Sequence, residues 1–132
     1  MSDVIEGLEA VTVHVTDIQR ARKFYSEVLG LKEVSYQANA SRAAFELPGT
    51  STQLTMHIQA EGEGGRAPGT VSGLIFAHRD PVAACAEIRK RGGTIVDEPH
   101  EFTNPFSTGV RGTIADPDGN QFLIRHVKSK SA

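Results

Sequence analysis

A chain of 132 residues with 39% hydrophobic and 23% charged side chains has room for one compact domain, or for two very small modules sharing a core. A net charge of -2 gives it no whole-chain attraction to nucleic acid or to an anionic membrane, and no apolar run approaches the length of a bilayer span. The opening MSDVIEGLEA has neither the basic nor the apolar part of a secretory signal, and the single cysteine, Cys85, excludes an intramolecular disulfide; a cytoplasmic protein is the expectation.

In chain order, AVTVHVT (10–16) alternates as a strand does, with Val11, Val13 and Val15 on one face and Ala10, Thr12, His14 and Thr16 on the other. Asp17 caps the helix that follows, whose Ile18, Ala21, Phe24, Tyr25, Val28 and Leu29 recur at helical spacing, and Gly30 ends it. LKEVSYQ, SRAAFELP and STQLTMHIQ then read as three strands. QAEGEGGRAPGT (59–70) is rich in glycine and reads as a mobile linker. The pattern then repeats. GLIFAH is a strand, Asp80 and Pro81 open a helix over VAACAEIRKR, Gly92–Gly93 close it, and TIVDEP, GVRGTIAD and NQFLIRHV are strands. EFTNPFSTG is expected to form a lid or a dimer contact carrying Phe102 and Phe106, and KSKSA a solvated tail. Cys85 reads as a small buried hydrophobe of the second helix.

Strand–helix–three strands, twice, predicts an α+β fold of two βαβββ modules, 8–58 and 71–127, joined by the 59–70 linker into one domain over 8–127. Neither module buries its sheet alone, so a paired, curled mixed sheet with helices on the outer face is expected, with a shared concave surface. Aligning the first strands sets Ala10 against Leu74, Thr12 against Phe76 and His14 against His78; aligning the last sets Met56 against Leu123.

VTDIQRARKFYSEVLGL, AACAEIRKRGGTIVDEP and ADPDGNQFLI resemble the vicinal oxygen chelate superfamily, which includes glyoxalase I, bleomycin-resistance proteins and extradiol dioxygenases. The resemblance covers about residues 8–127 and implies a homodimer. It also implies metal ligands, usually His and Glu, on the first and last strands of each module. Carried over, these positions fall on Ala10, on Met56 with an uncertainty of one residue, on Leu74 and on Leu123. Ala and Leu have no lone pair to offer and Met is a soft ligand, so no metal site and no cofactor are expected; a divalent metal bound elsewhere is the alternative.

The expected ligand-binding residues are Thr12, His14, Met56, Leu74, Phe76, His78, Arg111, Leu123 and Arg125, with Leu54 and Ile58 beside them. A mostly apolar concavity with a few polar groups suits a small molecule. Arg111 and Arg125 together would hold an anionic group, and His14 and His78 are the candidates for catalysis or for hydrogen bonds to a ligand. A one-residue shift would bring His57 in place of Met56. His100 and His126 read as loop or outer-face residues. The expected function is binding of a small organic molecule. The alternatives are a glyoxalase-like lyase or dioxygenase with displaced metal ligands, and a non-catalytic interaction module. No nucleic-acid or membrane partner is expected.

Overall fold

The structure, a computed structural model, describes residues 4–58 and 67–130, with Ser129 and Lys130 described by their backbone alone. The chain divides into two compact units, Met1–Pro68 and Gly69–Ala132. Each carries a four-stranded mixed sheet and a helix, so the fold is α+β with the βαβββ order twice.

In the first unit β1 (Ala10–Val15) leads to α1 (Ile18–Lys23), then β2 (Glu33–Gln37), β3 (Arg42–Glu46) and β4 (Gln53–Ile58). The sheet order is β1-β4-β3-β2, with β1 parallel to β4 and the other pairs antiparallel. Asp17 is the cap the sequence indicates: its Oδ1 accepts from the Arg20 backbone N–H at 3.0 Å. The helix does not stay regular to Leu29. After Lys23 it widens over Phe24–Val28, where the Leu29 N–H donates to the Phe24 carbonyl five residues back. Gly30, at φ 73°, then turns the chain so that the Leu31 N–H reaches the Tyr25 carbonyl. Phe24 and Tyr25 stay buried, with the Tyr25 ring 6.0 Å from that of Phe45 on the sheet.

The second unit runs β5 (Val71–Ala77), α2 (Pro81–Lys90), β6 (Thr94–Thr103), β7 (Ser107–Ala115) and β8 (Gln121–Lys130), in sheet order β5-β8-β7-β6. Asp80 caps α2 through the Ala83 N–H, Pro81 supplies the first turn, and Cys85 and Ile88 are buried. Two expectations change here. EFTNPFSTG is the end of a long hairpin rather than a free lid: Phe102 lies within β6 and pairs with Gly109, leaving only 104–106 as the tip. KSKSA begins inside β8, which runs to Lys130 and pairs with Ser107, so the tail is a strand edge over the described residues.

The DPDGN stretch is a closed turn. Asp116 Oδ1 accepts from the Asp118 and Asn120 N–H groups, Asn120 Nδ2 donates to Asp116 Oδ2 at 2.8 Å, and Gly119 takes φ 86°. The Asn120 side-chain oxygen also accepts from the Gly69 N–H at 2.9 Å, and the Gln121 N–H donates to the Thr70 carbonyl. Of the expected mobile linker 59–70, residues 59–66 lie outside the described residues, and the end at Gly69 and Thr70 is held by this turn.

Candidate functional site

Residues paired across a ladder stand on the same side of the sheet. In the first unit Val11 pairs with Leu54, Val13 with Met56, and Ala43 and Phe45 extend these rows. This is the face α1 covers, and Leu54 and Met56 are fully buried in it. The opposite face carries Thr12 paired with Thr55 and His14 paired with His57. The two threonine hydroxyl oxygens are 2.7 Å apart. The two imidazoles meet edge to face, with ring centroids at 4.7 Å. His14 and Thr55 are buried although polar, and Arg42 flanks His57 on β3.

Thr12 and His14 therefore share a face as expected, but Met56, Leu54 and Ile58 do not share it. In QLTMHI the apolar residues are 54, 56 and 58, on the side of Val11, Val13 and Val15; Leu54 and Met56 are buried there, and Ile58, at the strand end, is exposed. Thr55 and His57 are what β4 presents beside β1's polar side. The one-residue shift left open at Met56 resolves this way.

In the second unit β5 pairs Ile75 with Leu123 and Ala77 with Arg125, and β7 pairs Thr113 with Leu123 and Arg111 with Arg125. These residues form the face opposite α2, and the structure brings Leu123, Arg111 and Arg125 together there. Phe76 does not join them. It pairs with Ile124 and stacks on Phe122, ring centroids 5.2 Å apart, on the helix side. Leu74 sits at an irregularity: β5 spends four residues from Val71 to Ile75 where β8 spends two, around Gly73 at φ 80°. His78 lies past the strand and is exposed. Its Nδ1 accepts from the Asp80 N–H at 2.9 Å, which ties the strand to the cap of α2.

The expected matching of His14 with His78 fails for the same reason. The caps Asp17 and Asp80 do the same job in the two units. Aligning on them sets Ala10 against Gly73, Thr12 against Ile75 and His14 against Ala77. The ladders then agree: the Thr12–Thr55 row corresponds to Ile75–Leu123, and the His14–His57–Arg42 row to Ala77–Arg125–Arg111. The counterpart of Leu123 is thus Thr55. The cap spacing was the available signal, since His14 precedes its cap by three residues and His78 by two.

A hollow of about 320 Å³ opens beside the Ile75–Leu123–Thr113 row of the second face, bordered also by Val71 and Gln121, and reaches Leu74 and Phe122 at the β5 irregularity. Next along the strands, the Arg111 and Arg125 guanidinium carbons lie 5.2 and 5.8 Å from the centre of the buried Phe102 ring. His100, the β6 partner of Arg111, bonds through Nδ1 to the Glu101 carbonyl and through Nε2 to Asp97 at 3.0 Å. These bonds, the carbonyl first, hold its pKa above the ordinary histidine value.

Away from both faces, the Glu33 carboxylate accepts two 2.8 Å bonds from Arg22, and its pKa lies below the usual glutamate range because of them. The Arg22 guanidinium also lies 3.6 Å from the Tyr36 ring centre. Burial pushes the Cys85 thiol up, so it stays protonated and poorly nucleophilic.

The four positions that the resemblance assigns to metal ligands hold the following residues. Ala10, Gly73 or Leu74, and Leu123 carry no donor side chain, and the fourth place offers Thr55 or Met56. Among the described residues no three His, Cys, Asp or Glu side chains gather where an ion could be held. The His14–His57 pair can give and take hydrogen bonds; the second face can bury an apolar body beside two fixed cations. No helix of the described residues is long and apolar enough to cross a membrane.

A family model described as Glyoxalase/Bleomycin resistance protein/Dioxygenase superfamily matches residues 7–124. A tRNA (guanine-N(1)-)-methyltransferase of Chlamydia caviae is 29% identical over 126 residues, 96% of this chain but 32% of that protein, so the chain spans about a third of this relative's length. A member of the glyoxalase/bleomycin resistance protein/dioxygenase superfamily from Sphaerobacter thermophilus superposes with a TM-score of 0.77 at 29% identity, over 92% of this chain and 97% of that one. TnmS3, an antibiotic binding protein from Streptomyces sp. CB03234, gives a TM-score of 0.78 over 96% of this chain and all of that one, and at 24% identity the likeness is one of fold.

Proposed function

Because the chain belongs to the glyoxalase/bleomycin resistance protein/dioxygenase superfamily, we propose that it is a binding member of it, holding a small organic molecule against the face of the second sheet opposite α2, without the metal of the superfamily's enzymes. The observation that carries this reading is the hollow bordered by Val71, Ile75, Thr113 and Leu123. At about 320 Å³ it is of the size that small-molecule sites have, and its lining is mainly apolar with Thr113 and Gln121 as polar points. The absence of donor side chains at Ala10 and Leu123 supports a role that does not pass through a metal. The same fold in TnmS3 belongs to an antibiotic binding protein, which supports the class of ligand.

The test is a thermal-shift screen of small organic molecules, run beside elemental analysis of the purified, tag-free protein. Binding predicts ligands that raise the melting temperature of metal-free protein, and loss of that shift in Leu123→Asp, which places a carboxylate in the hollow. Stoichiometric metal that a chelator removes, together with shifts that survive Leu123→Asp, would overturn the reading. That outcome would favour the competing one, an enzyme with displaced ligands drawing on the adjacent imidazoles of His14 and His57.

A further inference from the structure

We infer that Arg111, Arg125 and Phe102 form an oxyanion-binding subsite, and that the ligand is an amphipathic carboxylate whose apolar body fills the neighbouring hollow. This names the ligand class of the site proposed above and rests on that reading.

Arg111 and Arg125 are direct cross-strand partners on β7 and β8. Like charges placed opposite one another on an antiparallel pair destabilise it, and a sheet tolerates them best when an anion is shared between them. Among the described residues, the strands beside them do not supply that anion. Among the described residues no carboxylate lies within ion-pair distance of either guanidinium, and neither makes a side-chain hydrogen bond; both lie over the Phe102 ring, at 5.2 and 5.8 Å. The acidic groups of the neighbouring strand are engaged elsewhere: Asp97 with His100, Glu98 with Arg89, and Glu101 with Lys128. Two half-buried forks of N–H donors, seated on a buried aromatic ring, suit the two oxygens of a carboxylate.

The hollow gives the rest of the ligand. Thr113 and Leu123, which border it, are the next same-face pair along β7 and β8 from Arg111 and Arg125. Two residues along a strand are about 7 Å. A carboxylate between the arginines thus leaves its organic body within one ring or a short alkyl chain of Val71, Ile75 and Leu123. The backbone fits this geometry as well. Phe102 is paired with Gly109, so no β7 side chain stands over its ring from that position.

The test is calorimetric titration of the intact protein with matched pairs of acid and amide, from benzoate and benzamide through 4-phenylbutyrate and octanoate to their amides. The acids should bind at least about tenfold tighter than their amides, and salt at about the molar level should remove most of that difference. Arg111→Gln and Arg125→Gln should each bring the acid down to the affinity of its amide while leaving the amide unchanged. Both should melt no lower than the parent, since each relieves a like-charge contact; Arg111→Lys, which keeps the charge but not the fork, should fall between. Acid and amide binding equally well in the parent protein would overturn the oxyanion subsite and leave the apolar pocket standing. Failure of every acid and every amide to bind would overturn the pocket and the subsite with it.

Discussion

Replacing Met56 by alanine separates the two faces of β4. The side chain is fully buried, and its ladder partners Val13 and Ala43 are small and stiff. The space left by the thioether therefore has little that can move into it. Met→Ala changes in cores cost about 2–5 kcal/mol, and limited collapse places this one near about 3 kcal/mol. For a chain of this length each kcal/mol moves the melting temperature by about 3–5 °C, so Met56→Ala should melt roughly 10–15 °C lower. Thr55→Val, one residue away on the opposite face, keeps the shape and removes one hydroxyl of the Thr12–Thr55 pair. That hydroxyl also donates to the Val11 carbonyl at 3.3 Å, and loss of the two bonds costs about 1–2 kcal/mol. The assay is urea and thermal denaturation of both variants by circular dichroism. If Thr55→Val is the more damaging, and Met56→Ala shifts the midpoint by no more than a degree or two, the faces are reversed and Met56 belongs with the ligand after all.

Glu33→Gln should cost about 1 kcal/mol at neutral pH, because it breaks the two-bond contact with Arg22. Since the folded Glu33 pKa lies below its unfolded value, that contribution is present above the unfolded pKa and is lost as pH falls through the folded one. Urea midpoints of parent and variant should therefore converge in acid, and a gap independent of pH would refute the assignment. Gly109→Ala should fold poorly or melt far lower, since a Cβ there would collide with the backbone carbonyl of His126 on β8; an unchanged melting temperature would mean that the two strands are further apart than described. Cys85, buried and with its thiol pKa raised by burial, should react with a thiol reagent only after unfolding, and rapid labelling of native protein would contradict its placement on the buried side of α2.

The layout of elements was legible because alternation, helical spacing and caps all point the same way: Val11–Val13–Val15, Asp17, Gly30, Asp80 and Gly92 each stand where such a βαβββ order requires. The faces were harder. In β4 the alternation was plain, but assigning Leu54, Met56 and Ile58 to a ligand surface set it against the rule that apolar rows go under the helix, and the helix won. In β5 the glycine at 73 inserts an irregularity that sequence parity does not carry, so Phe76 went to Phe122 rather than to Leu123. The match of His14 with His78 follows from aligning the first strands by their pattern, whereas the caps Asp17 and Asp80 fix the register one residue away. Arg111 and Arg125 were readable as cations with a common side. Their opposition across one ladder, and the Phe102 ring shared beneath them, depend on the β6–β7 hairpin register, which lies beyond what local pattern conveys.

The bond from the Gly69 N–H to Asn120 has a consequence for how this chain can change length. Gly69 is at φ 83°, and a Cβ on it would come within 2.9 Å of the Asp118 carbonyl, so the contact is built for glycine and is hard to slide. It locks the start of β5 to the turn that starts β8, two strands that run parallel and must begin level. Residues added or removed upstream of Gly69 therefore meet a fixed stop before they reach the second sheet. A length change that ends before Gly69 should therefore leave the register of Leu123 and Arg125 undisturbed, whereas one placed between Gly69 and Val71 should shift it.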